Sequence, residues 1–172
     1  MTAATDLTAL AASVVAGLRD RSQTLAAAES LTGGLVGATI TQIAGASAVF
    51  RGGLITYATE LKAELAGVSP QTLSANGPVA ATTAAEMAVG VAAVCGADWG
   101  LATTGVAGPE PQDGHPVGQV FVAVAGPIPS ELAGGGRKTE VRELALTGTR
   151  DDIRGQAVAF ALRLLLDRLD AP

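Results

Sequence analysis

The stretch LAAAESLTGGLVGATI, Leu25 to Ile40, decides how this chain folds. A short run of small apolar residues stops at Glu29 and Ser30, two glycines follow at Gly33 and Gly34, and an apolar segment of helical length comes next. Buried strand, tight turn and helix in that order belong to a layered α/β domain. Ser30 then sits where the strand gives way to the helix, beside backbone N–H groups that the first helical turn leaves unpaired. Gly33 and Gly34 carry no side chains, so a substrate group can approach the backbone closely. Two readings of Ser30 stay open. It is a nucleophile whose neighbouring N–H groups receive an oxyanion, or it belongs to a capping turn in which Ser30 or Thr32 bonds the helix start. The pattern S-x-T-G-G is neither the G-x-S-x-G elbow nor the phosphate loop that ends in G-K-S/T.

Working outward, Leu7 to Arg21 repeats apolar residues at helical spacing. Thr24 to Ala28 reads as a buried strand, and Gly33 to Ile43 as a helix with Thr32 as its cap. Val49 to Tyr57 is a second strand, and Glu60 to Ala66 a short helix. Ser69 to Pro78 reads as turn material, with Pro78 opening a long helix to Val94 that Gly96 and Ala97 end. Trp99 to Thr103 is a strand, and the Gly- and Pro-rich run after it is irregular. Gln119 to Ala125 is the clearest strand, Pro127 to Gly136 a surface excursion, Thr139 to Leu146 an edge strand, and Arg150 to Leu169 a closing helix. The fold class that follows is a three-layer α/β/α sandwich with a mixed sheet of about five strands, all in one domain over residues 1–172.

Composition agrees with that class. The chain has 172 residues, 48% of them apolar, with only 3% aromatic residues and 22 glycines. Layers built from such small side chains pack closely. No run has the length and character of a membrane span, and the N-terminus lacks the basic start of an export signal. Cys95 is the only cysteine, so no internal disulfide forms and a reducing cytoplasm is the expected setting. A net charge of −5 argues against nucleic acid as a main partner. No Lys or Arg lies between Lys62 and Arg137, whereas five of the 11 basic residues fall from Arg137 to Arg154. An anionic substrate must therefore be held by backbone N–H groups, by basic residues outside the gap, or by a second subunit.

A serine nucleophile needs a base. His115, the only histidine, would have to serve any Ser-His-Asp triad, but it lies in the loop QDGHPVG, where a solvent-facing role is the plainer reading. Lys62 is the alternative. A lysine ordinarily titrates near 10.4 and must be desolvated or placed near positive charge to act at neutral pH; otherwise Lys62 is an ordinary helix position. Tyr57, the only tyrosine, either orients this pair or is a plain strand residue. TTGVAGP, Thr103 to Pro109, follows a strand and can form a nest of N–H groups for an anion, or a merely structural turn. The acidic residues form no metal set and there is no cysteine pair, so neither an obligatory metal nor a cofactor is expected.

The set AESLTGG, FRGGLITYATELK, GPVA, TTGVAGP and HPVGQVFVA, in that order, resembles the C-terminal domain of the CinA (competence/damage-inducible) family from about Leu7 to Leu169. Stand-alone members of that family are nicotinamide-nucleotide amidohydrolases. The resemblance implies deamidation of nicotinamide mononucleotide to nicotinic acid mononucleotide and ammonia, by a single α/β/α domain that forms a homodimer in the cytoplasm. It also implies that Ser30 is the nucleophile, Lys62 the base and Tyr57 their companion. Thr32, Gly33, Gly34, Thr59, Thr104, Gly105, Ala107 and Gly108 would bind the substrate, together with Arg150 and Arg154, which stand where the family has a basic helix start. Oxyanion donors would come from Leu31 to Gly33 or from the second turn.

Departures from the family motifs are Leu31 for cysteine, Ala58 and Thr59 for Ser-Asn, EPQDG for a glycine-rich run, and His115 for lysine. The Ser–Tyr–Lys set is intact. The N-terminal domain that many relatives carry is not part of this sequence, which favours a stand-alone enzyme. The alternative is a non-catalytic nucleotide-binding or regulatory protein on the same fold.

Overall fold

A computed structural model describes residues 6–127 and 136–170. Among these, five strands and six α-helices follow one another: α1 Leu7–Asp20, β1 Leu25–Glu29, α2 Leu35–Thr41, β2 Phe50–Ile55, α3 Thr59–Glu64, α4 Pro70–Asn76, α5 Ala81–Cys95, β3 Trp99–Gly105, β4 Gln119–Pro127, β5 Arg137–Ala145 and α6 Arg150–Leu169. The sheet order is β2-β1-β3-β4-β5. β1 runs parallel to both β2 and β3, whereas β3–β4 and β4–β5 are antiparallel. The mixed three-layer sandwich read from the sequence is therefore the observed one. Most of the excursion expected from Pro127 to Gly136 lies outside the described residues, as does the start of the N-terminal segment.

Every residue of β1 is buried, because helices cover both faces of the sheet. Leu25 and Ala27 point into a core with α1, α2 and α6, built around Val14, Leu18, Ile40, Leu162 and Leu165. Ala26 and Ala28 point the other way, onto Ala84, Met87 and Val91 of α5. This alternation is the period of two of a strand.

The second layer explains the glycine content. A Cβ on Gly90 of α5 would lie 1.6 Å from the Ala66 carbonyl oxygen, and one on Gly100 of β3 only 1.8 Å from that of Ala88. Backbone touches backbone at both points. Gly90→Ala or Gly100→Ala is expected to cost at least ~3 kcal/mol, since α5 must move away from the Ala66 segment in the first case and from β3 in the second. Gly155→Ala on α6, where a Cβ meets nothing within 4 Å, should instead gain about 1 kcal/mol from helix propensity alone. Denaturant midpoints of the three variants check this.

Three local expectations are corrected. Ser69 to Pro78 is not turn material throughout, for Pro70–Asn76 is a helix. Ser69 accepts from the Thr72 N–H, Pro70 opens the first turn and Gly77, at φ +76, ends it. The helix has no buried residue and hence no apolar periodicity to betray it. It is tied down instead by Glu86, whose carboxylate accepts from the Ser69 N–H and the Thr72 hydroxyl. The long helix accordingly starts at Ala81 rather than Pro78.

Thr32 is likewise not the cap of α2. The N-cap is Gly34, at φ +99, with no cap from its own side chain.

Candidate active site

The connection from β1 to β2 runs through α2 on one face of the sheet, and that from β2 to β3 through α3, α4 and α5 on the other. β1 thus lies between β2 and β3, which are reached by connections on opposite faces, and a crevice opens at the carboxyl ends of the three strands, the usual ligand site of such sheets. Ser30 follows β1 directly, Thr56 and Tyr57 follow β2, and the turn from Gly105 to Gly108 follows β3. Helix α3 folds back so that its Lys62 returns to the end of β1.

Ser30 is anchored through its N–H to the Thr103 carbonyl at 3.0 Å, and its own carbonyl accepts from the Gly33 N–H. The Lys62 Nζ lies 3.0 Å from the Ser30 Oγ and donates to the Thr56 carbonyl at 2.9 Å. Lys62 is only 2% exposed. Burial lowers its pKa from 10.5 to about 8, partly opposed by the Glu60 carboxylate. At pH 7.5 roughly a quarter of a group titrating at 8 is neutral, against about one part in a thousand for an ordinary lysine. The sequence placed both residues as candidates, and the fold brings them into contact.

A cavity of about 120 Å³ opens above the pair. Tyr57, Thr59, Thr104, Gly105, Ala107, Gly108 and Arg150 line it, along with Ser30 and Lys62. Tyr57 stands at its rim, 58% exposed. The Tyr57 hydroxyl accepts from Arg150 at 2.8 Å, and the same guanidinium donates to the Gly108 carbonyl at 2.6 Å, so Arg150 bridges the ends of β2 and β3. Thr104 donates to the Pro78 carbonyl, which fixes the wall between the second turn and the start of α5.

Thr32, Gly33, Gly34 and Arg154 are not part of this lining. The Thr32 hydroxyl is buried against that of Thr103, 2.7 Å away. Arg154 donates to the Leu31 carbonyl at 3.1 Å and the Thr32 carbonyl at 3.0 Å. His115 contacts Gln119 through Nδ1 and lies outside the cavity, so no Ser-His pair forms.

Sequence reasoning missed Glu29. Its carboxylate, 3% exposed, accepts from the N–H groups of Gly34 and Val36 at 3.0 Å and of Gly37 at 2.9 Å. It fills the N-terminus of α2, where a ligand anion was expected. An acid directly before a turn that opens a helix was the available signal. Glu110 and Gln112 of the loop after β3 also reach the cavity.

Among the described residues, no group of three or more His, Cys, Asp or Glu is placed to hold a metal ion, and no helix is long and apolar enough to cross a membrane. Cys95 ends α5, at the far end of β3 and about 20 Å of strand from Ser30. Cys95→Ala should therefore leave the reactivity of Ser30 unchanged, which the rate of its labelling by a fluorophosphonate checks.

Comparison with known proteins agrees with this architecture. Residues 7–169 match the model of the CinA C-terminal domain. A CinA-like protein of Frankia casuarinae is 50% identical over 153 residues, which is 88% of this chain but 33% of that protein. A putative competence-damage inducible protein of Acetivibrio thermocellus is 44% identical over 86% of this chain and 34% of its own length. The chain thus spans about a third of the curated relatives it matches.

Among solved structures, the competence/damage inducible protein CihA of Agrobacterium tumefaciens superposes with a TM-score of 0.85 at 33% identity, covering 96% of each chain. A CinA superfamily protein of Klebsiella pneumoniae gives 0.86 at 31%, covering 95% of this chain and 98% of that one. With nearly the whole chain matched in sequence and in fold, this protein belongs to the CinA C-terminal domain family.

Proposed function

We propose that this chain is a serine amidohydrolase that converts nicotinamide mononucleotide and water to nicotinic acid mononucleotide and ammonia. The observation that carries the reading is the buried contact of Lys62 with Ser30, with a lysine pKa brought down to about 8.

Neutral Lys62 keeps an N–H on the Thr56 carbonyl and turns its lone pair to the Ser30 hydroxyl. It takes that proton as Oγ attacks the carboxamide carbon. The carbonyl oxygen becomes an oxyanion beside the N–H groups of Leu31, Ala107 and Gly108, which donate to no other described residue. Lys62 passes its proton to the departing amide nitrogen, which leaves as ammonia. Water then attacks the acyl-enzyme, Lys62 again takes a proton, and its return to Ser30 Oγ frees the acid. The cationic ring next to the carboxamide makes that carbon more electrophilic.

In this reading Tyr57, Thr59 and Arg150 receive the nucleotide at the mouth, and Arg150 faces the phosphate. Thr104, Gly105, Ala107 and Gly108 form the opposite wall, and Thr32, Gly33 and Gly34 shape the nucleophile turn. The reading includes a homodimer, which sedimentation equilibrium checks, and a cytoplasmic setting.

The test is ammonia release from nicotinamide mononucleotide by the purified chain, with and without a chelator, beside Ser30→Ala. Turnover that survives chelation and disappears in the variant supports the reading. Binding of the nucleotide without turnover in the intact chain would replace it with a binding or regulatory role. Turnover that persists in Ser30→Ala would keep the activity and remove the mechanism.

A further inference from the structure

Arg150 and Arg154 stand one turn apart on α6, yet their surroundings differ. Arg150 is exposed at the mouth and lines the cavity. Arg154 lies behind the nucleophile turn, with Nε on the Leu31 carbonyl and Nη2 on the Thr32 carbonyl. Its remaining nitrogen, Nη1, is 3.6 Å from the Asp151 carboxylate, which would repel a phosphate.

We infer that Arg154 is a positioning residue for the Ser30 nucleophile, holding the Leu31 and Thr32 peptides against α6, and not a ligand of the substrate's phosphate. The inference rests on the amidohydrolase reading of Ser30.

A guanidinium is a rigid planar fork, so two donors on successive carbonyls fix the orientation of two successive peptide planes. In a trans peptide the C=O and N–H point oppositely. Pinning the Leu31 carbonyl toward α6 therefore turns the Thr32 N–H away from it. The other half of the grip is Glu29, which takes the N–H groups of Gly34, Val36 and Gly37. A carboxylate thus holds the donors of the segment after Ser30 and a guanidinium holds its acceptors. Between the two, Gly33 N–H closes onto the Ser30 carbonyl, and Ser30 Oγ is left facing Lys62.

The test compares Arg154→Ala and Arg154→Lys with Arg150→Ala in steady-state ammonia release from nicotinamide mononucleotide. Arg154→Ala is expected to lower kcat on the order of 10²-fold, the scale of a displaced reacting group, with KM within about twofold of the wild type. Millimolar guanidinium ion should restore part of that loss. Arg154→Lys, one point donor where two carbonyls need a fork, should lose about tenfold in kcat with the same unchanged KM, and it serves if the alanine variant does not fold. Arg150→Ala should show the opposite pattern, a raised KM.

A raised KM with unchanged kcat in both Arg154 variants would make Arg154 a phosphate ligand and overturn the inference, as would no change in either constant. A wild type that releases no ammonia sinks the functional reading alone. In that case the rate of Ser30 modification by a fluorophosphonate decides: slower labelling in Arg154→Lys supports positioning, and equal labelling, or no labelling of the wild type, overturns it.

Discussion

Ser30→Ala is expected to lower kcat of the proposed deamidation by on the order of 10⁴-fold or more, Lys62→Met to do nearly the same, and the double variant to be no worse than either, because groups that act as a unit fail together. The physical basis is the 3.0 Å contact between Lys62 Nζ and Ser30 Oγ, in which each residue is useless to the chemistry without the other. Binding of the nucleotide should survive both changes, since neither removes a charge from the mouth of the cavity. Double-mutant kinetics decide the matter: losses that multiply would mean that the two residues act in separate steps.

The same lysine sets two pH dependences. kcat/KM of the wild type should rise with pH and level off above about 8, as Lys62 becomes neutral. Folding stability should move in the same direction for a different reason. The folded pKa lies below the unfolded value of 10.5, so between about 8 and 10.5 the unfolded chain binds more protons than the folded one, and stability rises with pH across that window. Below it the full penalty, on the order of 3 kcal/mol, is present. Lys62→Met should abolish this rise. Denaturant unfolding at pH 7 and pH 10, wild type against variant, measures the difference; equal slopes would mean that the lysine titrates normally.

Glu29→Ala is the second large effect, and it falls on stability and activity together. Three N–H groups at the start of α2 lose their acceptor at a site that is 3% exposed. Unpaired buried donors cost about 1–3 kcal/mol each before water relieves them, so a loss of ~3 kcal/mol or more is expected, with turnover falling as the turn loosens. Glu29→Gln keeps the shape but offers only one oxygen to the three donors, and should lie between. A denaturant midpoint within ~0.5 kcal/mol of the wild type for Glu29→Ala would show the three contacts to be dispensable.

Burial and breaks made most of the fold legible. β1, β3 and β4 stood out because strands covered on both faces read as continuous apolar runs. α1, α2, α5 and α6 declared themselves by apolar spacing and by the glycines around them. α4 escaped because its signals are all at its ends, Ser69-Pro70 and Gly77, with no apolar face between.

The site was legible as residue types rather than as contacts. Ser30 and Lys62 are 32 positions apart, and only the return of α3 over the carboxyl end of β1 joins them. Glu29 was hidden for a different reason: it acts on backbone N–H groups up to eight residues ahead, and no side-chain motif records that. Arg154 matched a basic motif shared with Arg150, and one helical turn was enough to carry it out of the cavity and behind the turn.

The Glu29 carboxylate at the head of α2 has a consequence for how substrate is sorted. An open helix N-terminus next to the nucleophile would attract the most negative part of any incoming nucleotide. On the proposed reading, a phosphate drawn to the turn after Ser30 would compete with the productive pose. With a built-in carboxylate already in that place, the backward pose loses its attraction. The phosphate is then left, on the proposed reading, with Arg150 at the mouth, and the carboxamide end is the one that enters. On that same reading, the chain orients its substrate by keeping one seat taken.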